Sequence, residues 1–516
     1  MSAPRYADAV LDQWLGSVGL GVEYVRAEGN TLYHHDADGD EVAVLDHVGG
    51  FGSLILGHHH PEVVAHAKAV LDAGVPVHAQ LSVQPAANEV AAALNAIIRR
   101  ETGSDEPFHA LFANSGAEAV EVCMKHAELE RRARVDALLE RVAADTEAAR
   151  AAVRGGARIS EQARDLAGAD DVEALAAAVN RHNEGLLTRP PVYLTLEGAL
   201  HGKLVGSIQL TQNAQWRTPF AALAPPARFL PVDQPELLAK AVDAERVFAL
   251  GPAVADGEVT VVKHLFPSVS ALFVEPVRGG AGIKALSAEF AREIERVCAE
   301  LDCPLVADEV QSGMGRTGAF FAATHVGLRA DYYTLAKSIG GGIAKNSVVL
   351  LRGSRFRPEI EVIHSSTFAK DGFSAAIALK VLELLEADGG EVYRRVEERG
   401  DRLAEALELV RADYPDVIRE VSGRGLLRAV ELHDQSGSAD PVIAENARGA
   451  VLGFVAAGYL LREHRVRVLP AGQTWNCLRF SPSVHLTDEE IAHTETALRG
   501  LCAVLRDQNG KELVGA

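Results

Sequence analysis

The chain has 516 residues, 48% of them hydrophobic and 24% charged, with a net charge of −20. These are the proportions of a globular enzyme with core enough for more than one domain, and the acidic balance excludes the basic footprint that nucleic acid or an anionic membrane would need. The start, MSAPRYADAVLD, has no basic segment leading into an apolar one, no stretch is long and apolar enough to span a bilayer, and Cys123, Cys298, Cys303, Cys477 and Cys502 form no disulfide or zinc pattern, so a cytoplasmic protein with buried thiols is expected.

Residues 22–61 alternate short strands and turns. Asp36, Asp38, Gly39 and Asp40 mark a hairpin turn; the glycine and glutamate that a calcium loop needs further on are missing. His58, His59 and His60 are adjacent and cannot easily chelate one ion, so they read as a turn entering the helix PEVVAHAKAVLDAG. No metal site is expected. A second amphipathic helix covers 86–100, and HALFAN is then a strand that runs straight into Ser115-Gly116-Ala117 and a helix start. That turn reads equally as an ordinary capped helix or as an anion site, because free N–H groups at a helix N-terminus favour negative charge. From about 127 to 183 the chain is alanine-rich with charges of both signs, broken at Gly155-Gly156. It reads as two or more surface helices inserted into an α/β domain. PVYLTLEG is the next strand and leads to Leu200-His201-Gly202-Lys203.

Between Ser270 and Ala344 three apolar runs of strand length, SALFVEP, CPLVADEVQSG and DYYTLAKSIGGG, each end in one functional group: Glu275, Asp308 and Lys337. The interval after the first run, SAEFAREIERVCAEL, has an N-cap at Ser287 and an apolar face of Phe290, Ile294, Val297 and Leu301. Strand, helix, strand predicts parallel βαβ units whose carboxyl ends share one crevice. After Arg352 come the loop IHSSTFAKDGF, a helix ended by glycine, a longer helix, three strands (GRGLLRAVEL, GYLLREHRVRVLP, NCLRFSPSVHL) and the closing helix TDEEIAHTETALRGLCAVLRDQ, which together make a smaller α+β domain.

GMGRTG at 313–318 matches G-x-G-x-x-G, but it does not open a helix after a strand, so it reads as a glycine-rich active-site loop rather than a nicotinamide fingerprint. No P-loop, G-x-S-x-G or H-E-x-x-H pattern is present. A lysine, a carboxylate and an anion turn at neighbouring strand ends suit pyridoxal phosphate, which uses a lysine Schiff base, a carboxylate facing the ring nitrogen and a helix-end phosphate cradle.

With LGHHHP, NSGAEAVE, HGK, VEPVRGGAGI, LVADEVQSGMGRTG, LAKSIGGG, HSSTF and LRFSP in that order, the chain resembles the class III (omega) aminotransferases, fold-type I pyridoxal-phosphate enzymes. The resemblance implies a large domain with a mostly parallel seven-stranded sheet flanked by helices and a smaller α+β domain. Residues 1–60 would join the small domain, 61–355 would form the large one and 356–516 the small one. It further implies that Lys337 forms the Schiff base and moves the substrate proton, with Asp308 on the ring nitrogen and Gln311 near the ring's phenolic oxygen. Ser115, Gly116 and Ala117 would hold the phosphate, and Thr367 would reach it from the other subunit of a homodimer. Leu200, His201 and Glu275 would line the cofactor, and Arg479 would bind the substrate carboxylate. The activity implied is transfer of an amino group from an amino-acid donor, glutamate or alanine, to an aldehyde or keto acceptor by way of pyridoxamine phosphate. An aminomutase or racemase would use the same Lys337 and Asp308, and a non-catalytic binding protein is the remaining alternative.

Four positions depart from the family pattern. Leu200 stands where an aromatic residue usually stacks on the cofactor. Gly280 stands where members using ornithine or 4-aminobutyrate carry a glutamate that neutralises the arginine. Ala369-Lys370-Asp371-Gly372 replaces a glycine-rich turn, and the insertion at 127–183 is unusually long.

Overall fold

The computed structural model describes residues 7–79, 81–472 and 475–515. Its centre is a seven-stranded sheet of β1 (Phe108–Ala113), β2 (Val192–Leu196), β3 (Ala227–Leu230), β4 (Val269–Val274), β5 (Leu305–Asp308), β6 (Tyr332–Leu335) and β7 (Ser347–Arg352), in the order β1-β7-β6-β5-β4-β2-β3. Only β7 runs against the rest. Both faces are covered, so the central strands are continuous apolar runs rather than alternating ones: every residue of β4, β5 and β6 is buried. The helix Ala288–Leu301 shows how a face is covered. Ser287 Oγ accepts the Phe290 N–H at 3.1 Å to start the helix, and Phe290, Ile294, Val297 and Leu301 turn inward. Each such side chain gains about 1.5–3 kcal/mol on leaving water. The expectation of a mostly parallel seven-stranded α/β sheet is therefore met.

The N-terminal strands Arg26–Glu28, Thr31–His35 and Glu41–Asp46 form a second sheet that is completed, in parallel, by Val466–Arg467 from the far end of the chain. Asp46 is the junction. Its buried carboxylate accepts from Arg467 Nη1 at 2.9 Å and from His58 Nε2 at 3.0 Å. His58 thus serves packing, and among the described residues no group of histidine, cysteine or acidic side chains could hold a metal. A four-stranded antiparallel sheet of Ile418–Arg424, Leu427–Leu432, Cys477–Phe480 and Leu469–Ala471 lies in the C-terminal part. The helix Gly372–Asp413 beside it is broken at residues 387–390, where the double glycine takes left-handed backbone angles. Among the described residues no helix is long and apolar enough to cross a membrane.

One expectation of the fold needs correcting. GYLLREHRVRVLP is not one strand: Leu452–His464 is a helix, followed by the short strands Val466–Arg467 and Leu469–Ala471. Nine of the ten residues 452–461 are buried, Phe454 being the exception, so the helix shows no amphipathic period to distinguish it from a buried strand. The insertion is made of helices as expected, but the two-residue strand Arg158–Ile159 interrupts it and pairs with a hairpin from later in the chain. The helix that starts at the anion turn continues unbroken from Gly116 to Arg154, about 58 Å at 1.5 Å per residue. Its outer half packs with Glu161–Ala167, Val172–Leu187 and a three-stranded sheet whose main part is the hairpin Val247–Ala255 and Glu258–Phe266. The hairpin turns on Asp256-Gly257, both left-handed, the pairing a two-residue loop demands. Asn183 closes its outer edge by bonding both the N–H and the C=O of Leu250.

Candidate active site

Five strand ends of the large sheet deliver functional groups to one cavity of about 580 Å³, in the size range of small-molecule sites. The end of β1 supplies Asn114 and the turn 115–117, β2 leads to 199–203, β4 to Glu275, β5 to Asp308 and β6 to Lys337. This is the carboxyl edge of an open α/β sheet, where crevices form.

On the floor every polar group has a partner. Asp308 Oδ2 accepts from His201 Nδ1 at 2.7 Å, and Oδ1 accepts from Thr334 Oγ1 at 3.0 Å and from the Val310 N–H at 3.1 Å. His201 Nε2 lies 3.0 Å from Thr195 Oγ1, so a buried chain of bonds runs across the sheet from β2 through β5 to β6. Burial works against protonating His201, but the Asp308 carboxylate outweighs it and raises its pKa. Thr334 pairs with Asp308 in the ladder, which brings their side chains to the same face. Glu275 is buried, and its two oxygens accept the N–H groups of Leu200 at 2.8 Å and Gly279 at 2.9 Å, tying two loops together. Burial raises its pKa.

Lys337 follows β6 with φ +53, a left-handed angle costly for a residue with a side chain. The next residue pins it: Ser338 Oγ donates to Gly52 O at 3.1 Å. Its Nζ donates to Gln311 Oε1. Burial, and next the nearby Arg479 charge, lower its pKa to about 7, against the pull of Asp308 and Glu275. Near neutral pH the amine is therefore far more readily free of its proton than an ordinary lysine, and that is the form that attacks a carbonyl.

At the anion turn, Ser115 caps the long helix by accepting the Glu118 N–H at 3.3 Å, and the turn 115–117 lines the cavity. Residue 116 has to be glycine, because a Cβ there would lie 2.6 Å from Val310 Cγ1. Arg479, on the strand Cys477–Phe480, also lines the cavity, with its guanidinium carbon 5.2 Å from the centre of the Phe51 ring. Burial lowers its pKa to about 10, so it stays a cation at neutral pH, and no carboxylate among the described residues pairs with it. No glutamate could stand at position 280: a Cβ there would lie 2.5 Å from Gly198 O.

The cavity thus gathers Ser115, Gly116, Ala117, Leu200, His201, Glu275, Asp308, Gln311, Lys337 and Arg479. Thr367 is exposed and lies outside the lining of its own chain's cavity, although its neighbour Ser366 accepts from Asn114 Nδ2 at 2.8 Å. The reading of GMGRTG as an active-site loop is corrected, since none of residues 313–318 lines the cavity. The loop lies behind it, where buried Arg316 donates to the carbonyls of Leu426, Pro482 and Gly52. Sequence reading missed Thr195, Thr334, Lys203, Trp216 and Trp475. Thr334 had a usable signal, a polar residue inside an apolar strand one position from its end; Trp216, on a four-residue helix, and Trp475, in the connection between two strands, had none.

The family described as aminotransferase class-III matches residues 16–501. Among solved structures, an ornithine aminotransferase from Toxoplasma gondii, crystallised in the presence of oxidised glutathione and with partial occupancy of PLP at its active site, superposes with a TM-score of 0.65 at 21% identity, covering 94% of this chain and 91% of that one. A second structure of the Toxoplasma gondii ornithine aminotransferase gives 0.66 at 21% identity, with 95% and 92% covered. The ornithine aminotransferase of Plasmodium yoelii gives 0.62 at 18% identity, with 94% of each chain covered.

Proposed function

Because the chain belongs to the class III aminotransferases, which are pyridoxal-phosphate-dependent transaminases, we propose that it takes the amino group of an α-amino-acid donor, glutamate or alanine, and passes it to an aldehyde or keto acceptor. The observation that carries this reading is that the guanidinium of Arg479, with no carboxylate partner among the described residues, lines the same cavity as Lys337, whose pKa burial lowers.

The residues present suit the cofactor. The first-turn N–H groups at 115–117 and the close approach that Gly116 allows fit a phosphate. Asp308, aimed by His201, Thr334 and the Val310 N–H, suits a pyridinium nitrogen, and Gln311 beside Lys337 suits the phenolic oxygen. When bound, pyridoxal phosphate supplies an electron sink for the carbanion left when the substrate loses its α-proton. The chain's residues do the rest. Lys337, with a pKa near neutrality, can both take a proton and return it. Arg479 holds the carboxylate and so fixes which bond at the α-carbon faces Lys337. With no side chain possible at Gly280 to neutralise it, Arg479 favours substrates that carry a carboxylate in both halves of the reaction.

A homodimer with Thr367 reaching the other subunit's cofactor is supported by the surface around that residue. Leu81, Val83, Val362 and Phe368 are exposed apolar side chains, and the two segments that carry them are joined by the His78–Phe368 ring contact at 4.2 Å and the Gly372 N–H to Val77 O bond at 3.0 Å. Apolar surface of this kind marks an interface. Five buried, unbridged cysteines support a cytoplasmic setting.

The test is a half-reaction. Cofactor-loaded protein mixed with L-glutamate or L-alanine alone should lose its visible absorbance and release the matching 2-oxo acid in one equivalent, and a carbonyl acceptor should restore the colour. An isomeric amino acid accumulating over many turnovers, with no carbonyl acceptor present, would instead support the isomerase reading.

A further inference from the structure

The cavity that holds Arg479 is also lined by two tryptophans, and we infer that Trp216 and Trp475 select substrates whose carboxylate end is joined to an aryl body. This rests on the reading of Arg479 and the transamination proposed above, and adds the substrate class.

Trp216 lies on the short helix Ala214–Arg217, and Trp475 between the strands Leu469–Ala471 and Cys477–Phe480. Both line the cavity, together with Leu200 and Phe51. Their ring centres are 5.9 Å apart with the planes at 48°, so they form an open corner rather than a closed stack. Such a corner offers a third ring both edge and face contacts, an arrangement aromatic groups favour beyond their simple burial. Leu200, still 41% exposed, adds an aliphatic surface where an aromatic residue is usual.

Both rings are held by their neighbours. Trp475 packs on Phe454 at 5.3 Å, and Phe454 on Trp14 at 4.8 Å. The Trp475 backbone is seated by Gly453, where a Cβ would come within 1.9 Å of Trp475 O. On the other side, Asn213 Oδ1 accepts the Trp216 N–H at 3.2 Å, and Lys203 Nζ sits 3.7 Å from the centre of the Trp216 ring. Rings fixed in this way lose little freedom when a ligand covers them. Trp475 is four residues from Arg479, a span of at most about 14 Å of extended chain, so a carboxylate on Arg479 and a ring in the corner are within the length of one small molecule. A short acid such as pyruvate satisfies Arg479 and leaves the rings bare.

The test compares amino donors that share one head group. With the loaded full-length enzyme, L-homophenylalanine should exceed L-alanine in half-reaction kcat/KM by roughly tenfold or more, from the apolar area its ring buries. Trp216→Ala and Trp475→Ala should each lower that ratio by roughly 10- to 100-fold, and Trp216→Phe should keep most of it. Independently of turnover, 4-phenylbutanoate should quench the tryptophan fluorescence at concentrations where acetate does not; this and the wild-type ratio decide the matter if a variant does not fold. A wild-type ratio at or below one, a ratio unmoved by both alanine variants, or quenching by neither acid would overturn the inference while transamination of alanine stands. Failure of every donor would remove the transaminase reading and this inference with it.

Discussion

The floor of the cavity and the side that carries Arg479 are built on opposite principles. On the floor, Asp308, His201, Thr334 and Thr195 sit on or beside central strands and satisfy one another through hydrogen bonds, so each group has one orientation. On the other side, Arg479 is a cation without a carboxylate partner among the described residues, Trp216 sits on the four-residue helix Ala214–Arg217 and Trp475 in the connection between two strands. A site that must repeat one chemical step gains from groups fixed before the substrate arrives, because orienting them then costs nothing during the reaction. A site that must choose among substrates gains from groups whose partner is the substrate itself, because a wrong ligand leaves them unpaired.

That contrast predicts different kinetic signatures for damage in the two regions. Asp308→Asn removes the carboxylate that His201 and Thr334 aim. It should lower kcat by roughly 100- to 1,000-fold with every donor, with a much smaller change in KM. Steady-state kinetics with two unlike donors checks this, and a loss confined to one donor would break the distinction. Arg479→Gln keeps a hydrogen-bond donor but removes the charge. It should raise KM for carboxylate-bearing donors by roughly 10- to 100-fold, the worth of a charge-assisted bond, and affect kcat less. An amine donor without a carboxylate should respond far less, and an equal loss for both would place Arg479 in the fold rather than in recognition. The aryl selectivity expected of Trp216 and Trp475 is the smallest effect of the three and belongs wholly to the side that carries Arg479.

The same division governs what could be read from the sequence. Glu275, Asp308 and Lys337 were legible because each closes a wholly apolar run, and a charged residue in that position has to face a crevice or solvent. The order of those runs, with a helix between the first two, was enough to predict parallel neighbours. The helix Leu452–His464 was not legible, since burial on nearly all sides erases the period that identifies a helix. Asp256-Gly257 did carry a hairpin signal, but nothing local ties that hairpin to helices more than 60 residues earlier. Thr195 is an ordinary strand residue until the fold sets it beside His201, and Thr334, marked only as a polar residue in an apolar strand, gains its partner Asp308 from the register. Trp216 and Trp475 lie far apart in sequence and meet only because Gly453 lets one loop settle onto its helix. Leu200 and Gly280 were visible as departures. For Gly280 the physical reason is the Gly198 carbonyl, which leaves no room for a side chain.

Three lysines line the cavity, Lys203, Lys337 and Lys345, and the account depends on one of them. Lys337 alone combines a position at the end of a central strand with a pKa brought down to about 7. Reducing the cofactor-loaded protein with borohydride and mapping its peptides should find the cofactor fixed to Lys337 in a single peptide, at close to one equivalent per chain. Label on Lys203 or Lys345, or no label on a protein that still transaminates, would contradict the account.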